Sequence, residues 1–158
     1  MSVAVESVGF YRSTDRYGFL SNLFPCQVEF EGVTFLSAEH EYQFGKANEE
    51  CIREWIRNAP HPRLAAIAGH GLLAYDIVPH WNEIKVDRMR RVIEAKFRQN
   101  VELAQRLLAT GEAALFEISK TDRFWGIGKN GKGQNTLGML LMELRSKLKQ
   151  LPKAEERQ

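Results

Sequence analysis

From Ser37 onward helical patterning governs almost the whole chain, which leaves extended structure only the opening segment and one later short run. Apolar residues recur at helical spacing over about 37–47, 49–58, 63–70, 82–99 and 101–109, and Pro60, Pro62, Pro79 and Gly111 punctuate them. A further helix opens behind Asn135, a favourable N-cap, and carries the apolar stripe Leu137, Leu140, Leu141, Leu144 and Leu148. Before Ser37, residues 8–12 read as a strand and 13–25 as a polar loop. Alternation in 27–30 and 33–35 reads as a hairpin turning at Glu31-Gly32. Residues 115–118 add one short strand. The expected fold is therefore α+β and predominantly helical: about six helices with a small N-terminal hairpin or sheet. The 158 residues suit a single domain with its core at about 8–150 and a frayed, charged tail over 152–158.

Composition excludes several function classes. With 44% hydrophobic and 27% charged residues the chain is ordinary globular material, and a formal net charge of +2 is too small to attract nucleic acid in bulk. Basic residues do gather at Lys85, Arg88, Arg90, Arg91, Lys96 and Arg98. On a helix backed by Val86, Met89, Ile93 and Phe97 they read as a solvated face. No window approaches a membrane span and no signal-like run opens the chain, so the expectation is a cytoplasmic protein with no membrane partner. Cys26 and Cys51 offer no disulfide framework, and the histidines at 40, 61, 70 and 80 match no ligand spacing, so no metal is expected.

Two stretches carry chemistry. In the first, Ser37 is a good N-cap, and Glu39, Gln43 and Lys46 follow at i, i+4 and i+7, within about 60° of one another on a helix. An acid, an amide and an amine then share one edge, with Glu39 near the positive end of the helix dipole. A solvated Glu–Lys edge has the same spacing. In the second, four glycines and two lysines follow Asp122 and Trp125 and run into the last helix. Gly126 to Gly131 satisfies GxGxxG, but a dinucleotide fold needs that motif early in a βαβ unit; Gly133 replaces the Ser/Thr that a phosphate loop needs for magnesium. What remains is a flexible loop whose N–H groups and lysines, beside a helix N-terminus, could hold a phosphate or pyrophosphate.

Taken in order, these pieces resemble the NADAR superfamily of YbiA-like proteins over about 10–147. Phe10-Tyr11, Gly18 with Ser21-Asn22, and Ser37-x-Glu39-His40-x-Tyr42-Gln43-x-x-Lys46 open the series. Ala68-Gly69, Trp81, Lys85, Met89 and Lys96-Phe97 continue it, and Asp122-x-x-Trp125-Gly126-x-Gly128, Gly133-x-Asn135-x-Leu137-Gly138 and 141–145 complete it. Glu41 stands where the family usually has an uncharged residue, and Gln134 where a lysine is common.

The resemblance implies hydrolysis of a C1–N bond between ribose and a nitrogenous group, with no metal or redox cofactor. Such a bond breaks with positive charge growing on the sugar, so it needs a carboxylate near the ribose and a proton source near the leaving group. By resemblance Glu39 and Asp122 fill those roles, Lys46 contacts or attacks the ribose, and Trp81 and Trp125 wall the pocket. Tyr11, Ser21, Asn22, Gln43, Gly126, Gly128, Lys132, Gly133 and Asn135 complete the binding set. The implied substrate is a phosphorylated ribosyl or ADP-ribosyl small molecule, such as a riboflavin-pathway ribosylamino-pyrimidine, or ADP-ribosylated guanine in nucleic acid. The alternative is a non-catalytic module that binds ADP-ribose or another NAD-derived nucleotide. For Trp81 alone, a core aromatic is the simpler reading.

Overall fold

A computed structural model of the chain describes residues 6–151; the expected tail lies outside them. Four strands and six α-helices follow in the order β1 (Ser7–Phe10), β2 (Val28–Phe30), β3 (Val33–Phe35), α1 (Ala38–Lys46), α2 (Glu50–Arg57), α3 (Pro62–His70), α4 (Trp81–Gln99), α5 (Val101–Ala109), β4 (Ala114–Glu117) and α6 (Thr136–Gln150). Among the described residues no helix is long and apolar enough to cross a membrane. The described residues divide into two compact units, one made of those up to Gly9 with those from Glu102 on, the other of Phe10–Val101.

In the larger unit β2 and β3 form the expected antiparallel hairpin, with Val28 opposite Phe35 and Phe30 opposite Val33. Glu31 and Gly32 both have positive φ, 49° and 79°, the geometry of a two-residue turn matched to strand twist. Glu31 is an unusual residue there, and its carboxylate is held by Arg91 at 2.8 Å. The hairpin presents Phe30 and Phe35 to a core completed by Phe44, Ala47, Ile56 and Ala65. Phe35 meets Phe44 edge-on at 5.0 Å.

α1 starts where Ser37 caps it. The Ser37 Oγ accepts from the His40 backbone N–H at 3.1 Å. His40 Nε2 lies 2.8 Å from the Ala59 carbonyl, which can only accept, so Nδ1 is left to accept the Ser37 hydroxyl at 2.7 Å. Burial pushes this fully buried histidine's pKa down, so it serves the fold as a neutral clip. On the opposite side of α1 from Glu39, Glu41 is completely buried against Arg88 of α4. Gly45 makes that possible: a Cβ there would lie 1.8 Å from Arg88 Nε.

The basic residues of α4 form a solvated face only in part: Arg91 and Arg98 are exposed, whereas Arg88 is largely buried and Lys96 wholly so. Arg88 lies on Glu41, Arg91 on Glu31, Arg98 on Glu94, Arg90 on Asp87, and Lys96 is wholly inside. The helical pattern named the apolar stripe correctly, but stripe and basic residues overlap on a 19-residue helix packed against both α1 and the hairpin.

In the smaller unit β1 pairs with β4, so the early strand and the 114–117 strand belong to one small sheet. α6 packs on β4 through Gly138, where a Cβ would meet the Leu115 carbonyl at 2.2 Å. Leu137, Leu140, Leu141 and Leu144 are buried as their spacing requires, together with Leu103, Leu107 and Leu115.

Candidate active site

The larger unit collects Ser21, Asn22, Glu39, Gln43, Lys46 and Trp81. Glu39 is 9% exposed and Gln43 only 2%, which rules out the solvated-edge alternative for this stripe. Gln43 Nε2 donates to Glu39 Oε1 at 2.7 Å, and Lys46 Nζ donates to the Gly69 carbonyl of α3 at 2.9 Å. α3 comes this close because residue 69 has no side chain: a Cβ would fall 1.8 Å from Gln43 Oε1. Gly69 thus does two jobs that helical periodicity does not reveal.

Lys46 is half-buried, and its pKa is lowered by burial; the Glu39 charge works against that and Lys85 of α4 adds to it. An amine in this setting reaches its neutral, nucleophilic form more readily than a free lysine.

The N-terminus of α1 is tied to the 18–22 segment, because the Glu39 N–H donates to the Asn22 carbonyl at 3.1 Å. Asn22 is 6% exposed; its Nδ2 donates to Met89 Sδ at 3.0 Å, and its Oδ1 is buried and accepts no hydrogen bond. Ser21 is 3% exposed, with Oγ accepting from the Leu23 N–H at 3.2 Å. Trp81, 8% exposed, opens α4 and meets the Tyr42 ring at a tilt, centroids 5.1 Å apart, so it is a core aromatic next to the stripe that carries Glu39. Tyr11 is 47% exposed at the surface of the same unit. Met89 and Lys85 were not among the expected site residues. Their signal was available: Trp81, Lys85 and Met89 are spaced i, i+4, i+8 on one face of α4.

The smaller unit holds Asp122, Trp125, Gly126, Gly128, Lys132, Gly133 and Asn135 in one loop. Asp122 Oδ1 accepts from the N–H groups of Phe124 at 2.9 Å and Trp125 at 2.8 Å, a local turn that fixes Trp125. Trp125 is partly buried and meets Phe124 edge-on at 4.9 Å. The loop is not the flexible donor array its composition suggests. N–H groups of Ile127, Gly133, Gln134, Asn135, Thr136 and Leu137 donate to Glu117, Ile127, Arg123, Gly126, Phe124 and Trp125 carbonyls at 2.7–3.1 Å. Gly133 is required by contact, since a Cβ would lie 2.5 Å from the Gly126 carbonyl; Gly128 is required by its φ of +67°. Gly126 is buried, and Lys132 is exposed at the surface.

Asn135 sits at the N-cap position of α6 but caps nothing. Its φ is +52°, and its side chain bonds β4 instead, with Nδ2 to the Leu115 carbonyl at 2.9 Å and Oδ1 from the Glu117 N–H at 3.0 Å. The first two α6 N–H groups, of Thr136 and Leu137, are satisfied by loop carbonyls of Phe124 and Trp125, which take the place of a side-chain cap there. Among the described residues no group of three or more His, Cys, Asp or Glu could hold a metal ion.

Known proteins are similar to this chain in sequence and fold. The N-glycosidase YbiA of Escherichia coli K12 is 40% identical over 141 residues, covering 89% of this chain and 88% of that protein. An N-glycosidase of Nostoc punctiforme is 32% identical, covering 92% and 94%. A riboflavin biosynthesis protein of Vibrio vulnificus is 34% identical over 94% of this chain, which spans 40% of that longer protein. The NMR structure of E. coli YbiA superimposes with a TM-score of 0.86 at 36% identity, covering 99% of this chain and 94% of that one. The profile of the NADAR domain matches residues 9–149, and on that match and these relatives the chain belongs to the NADAR domain family.

Proposed function

We propose that this protein is an N-glycosidase that hydrolyses the C1–N bond joining a ribosyl group to a nitrogenous base or amine. The observation that carries the reading is the α1 edge: a nearly buried carboxylate oriented by Gln43, two turns from an amine drawn out of solvent. A module that only binds nucleotides has no use for that pair, whereas glycosidic cleavage needs both an acid and a group for the sugar carbon. The names of the relatives support the same reaction.

In this mechanism the ribose ring opens to a C1=N imine on the substrate nitrogen, whose proton passes to the ring oxygen, and Lys46, as the neutral amine, adds to C1. Glu39 delivers a proton to the departing nitrogen, which leaves with the electrons of its bond to C1, and the Lys46 imine left behind is hydrolysed by water, returning free amine and free sugar. The conflict between an ionised Glu39 and a neutral Lys46 is removed when the proton sits on Glu39. Asp122, in the smaller unit, takes a carboxylate role by family resemblance alone, and Asp122→Asn, Trp125→Ala and Lys132→Ala test that unit's loop separately. In the larger unit Ser21, Asn22 and Tyr11 bind the substrate, a phosphorylated ribosyl or ADP-ribosyl compound.

Incubation of the protein with a ribosylamino-pyrimidine phosphate and, separately, with ADP-ribosylated guanine tests the reading, with released base and sugar identified by mass spectrometry. Release from one identifies the substrate class. Tight binding of ADP-ribose with no release from either would make the protein a binding module.

A further inference from the structure

Lys96 is the one residue of the α4 stripe whose charge is completely enclosed. Its side chain is 0% exposed, and Nζ donates to the Phe19 carbonyl at 2.7 Å and to the Ser21 carbonyl at 2.9 Å. The ring faces of Phe97 and Phe24 lie 5.1 and 5.7 Å away. Enclosing an ammonium is expensive, and an apolar side chain of similar length would fill the same space without that penalty. The hydrogen-bond partners are therefore informative.

Both carbonyls belong to a single tight turn, Gly18–Leu20 with Ser21 as its C-cap. The turn leads directly into Asn22, whose carbonyl receives the Glu39 N–H at 3.1 Å and whose side chain is held by Met89 one α4 face below. Gly18 lets the turn close, since a Cβ there would lie 2.3 Å from the Ser13 carbonyl. The ammonium thus clamps a turn that at its other end holds the first residue of catalytic interest.

We propose that Lys96 is a positioning residue, an internal clamp that fixes Ser21 and Asn22 against the N-terminus of α1 and so sets the placement of Glu39. The role rests on the reading of Glu39 and Asn22 as site residues, but the clamp itself is measurable without turnover.

Lys96→Met tests it with two readouts. In amide hydrogen exchange, Leu20, Ser21 and Glu39, whose N–H groups close the turn and join it to α1, should exchange at least tenfold faster while α2 and α6 keep their protection. In kinetics, kcat/KM should fall at least thirtyfold in the otherwise unaltered chain and less than threefold in a Glu39→Gln background, because the clamp acts on turnover through the placement of Glu39. Unaltered exchange over 18–22, or losses that multiply in the double variant, overturns the proposal. Lys96→Gln, which keeps N–H donors, should recover part of both readouts. If neither variant folds, Lys96 serves stability at large and the positioning role is overturned. An unmodified protein that lacks turnover while Lys96→Met still frees the turn would refute the proposed reaction and leave the clamp standing.

Discussion

Gly69→Ala sets helix propensity against site geometry, and the two give opposite signs. Gly69 lies inside the described span of α3, so alanine should stabilise the helix by up to about 1 kcal/mol. The added Cβ, however, falls 1.8 Å from Oε1, 2.2 Å from Cδ and 2.7 Å from Cγ of Gln43, so the amide must leave its place. Leaving breaks the 2.7 Å bond to the Glu39 carboxylate, a charge-assisted contact of the kind that contributes roughly 1.5–3 kcal/mol. The expected net loss is about 0.5–2 kcal/mol, or roughly 1–8 °C in Tm for a chain of this size. If Gln43 orients Glu39 for proton delivery, the same contact appears in the barrier, and kcat should fall by roughly 10- to 150-fold. Differential scanning calorimetry and steady-state kinetics measure the two effects. Gly71→Ala is the control, since its Cβ would meet only Ile67 and Ala68 carbonyls at 3.5 and 3.6 Å. Adding Gln43→Ala to Gly69→Ala removes a side chain already displaced from Glu39, so it should leave kcat near the Gly69→Ala value. A stabilised Gly69→Ala protein with full turnover would refute the argument.

Glu39→Gln should keep the fold and ligand affinity but lower kcat by about 10²–10⁴, since the amide keeps the shape without the proton; equal turnover removes Glu39 from the mechanism. Borohydride added during turnover should trap sugar mass on the Lys46 peptide, and because burial lowers the Lys46 pKa, kcat should rise with pH below the range of a free lysine, a rise absent in Lys46→Arg; no adduct, with substantial Lys46→Arg activity, leaves direct attack by water. Gly133→Val should lower Tm as well as weaken ADP-ribose binding in calorimetry, because its Cβ meets the Gly126 carbonyl at 2.5 Å; an affinity loss with unchanged Tm would contradict this loop geometry. Burial pushes Glu41 up from 4.5 to about 7 even with Arg88 opposing, so the folded carboxyl holds its proton where the unfolded one has lost it. Unfolding free energy should therefore decline by roughly 3 kcal/mol as pH rises from about 4.5 to about 7, and the difference between Glu41→Gln and the parent chain in urea titrations should carry that slope; parallel curves would exclude Glu41 as its source.

What the sequence made legible was local. A serine before a helical pattern, a Glu-Gly pair between alternating segments and leucines at 3.6 spacing each act within a few residues, and Ser37, the hairpin and α6 formed as read. The first strand ended at Phe10 instead of extending to residue 12, and the 114–117 strand lay one residue early, because pairing between the two sets their ends. Asn135 was misread for a related reason: an asparagine before a helix is a cap only if the helix N–H groups need one, and here the preceding loop satisfies the first two. The Glu39 edge was read correctly as a stripe, but whether it was solvated depended on α3 closing over Gln43, which turns on a glycine 26 positions later.

The basic residues of α4 show where pattern reading loses its grip. Charge and periodicity describe Lys85, Arg88, Arg91 and Lys96 equally well as a wet face, and nothing within the helix distinguishes them. Their fates are set from outside: Arg88 by the missing side chain at Gly45, Arg91 by a turn residue of the hairpin, Lys96 by carbonyls 75 and 77 positions away. Arg88 and Lys96 are drawn inward by acceptors that come within reach only after folding, whereas Arg91 stays at the surface on an exposed Glu31. A charged residue at an apolar helical position, facing a segment rich in glycine and short turns, is therefore a better sign of an internal brace than of a nucleic-acid surface. Trp81, Lys85 and Met89 extend the same logic along α4, since each reaches one part of the α1 edge or its supporting loop. The helix that looked least like part of a site is the one against which the larger unit's site residues are aligned.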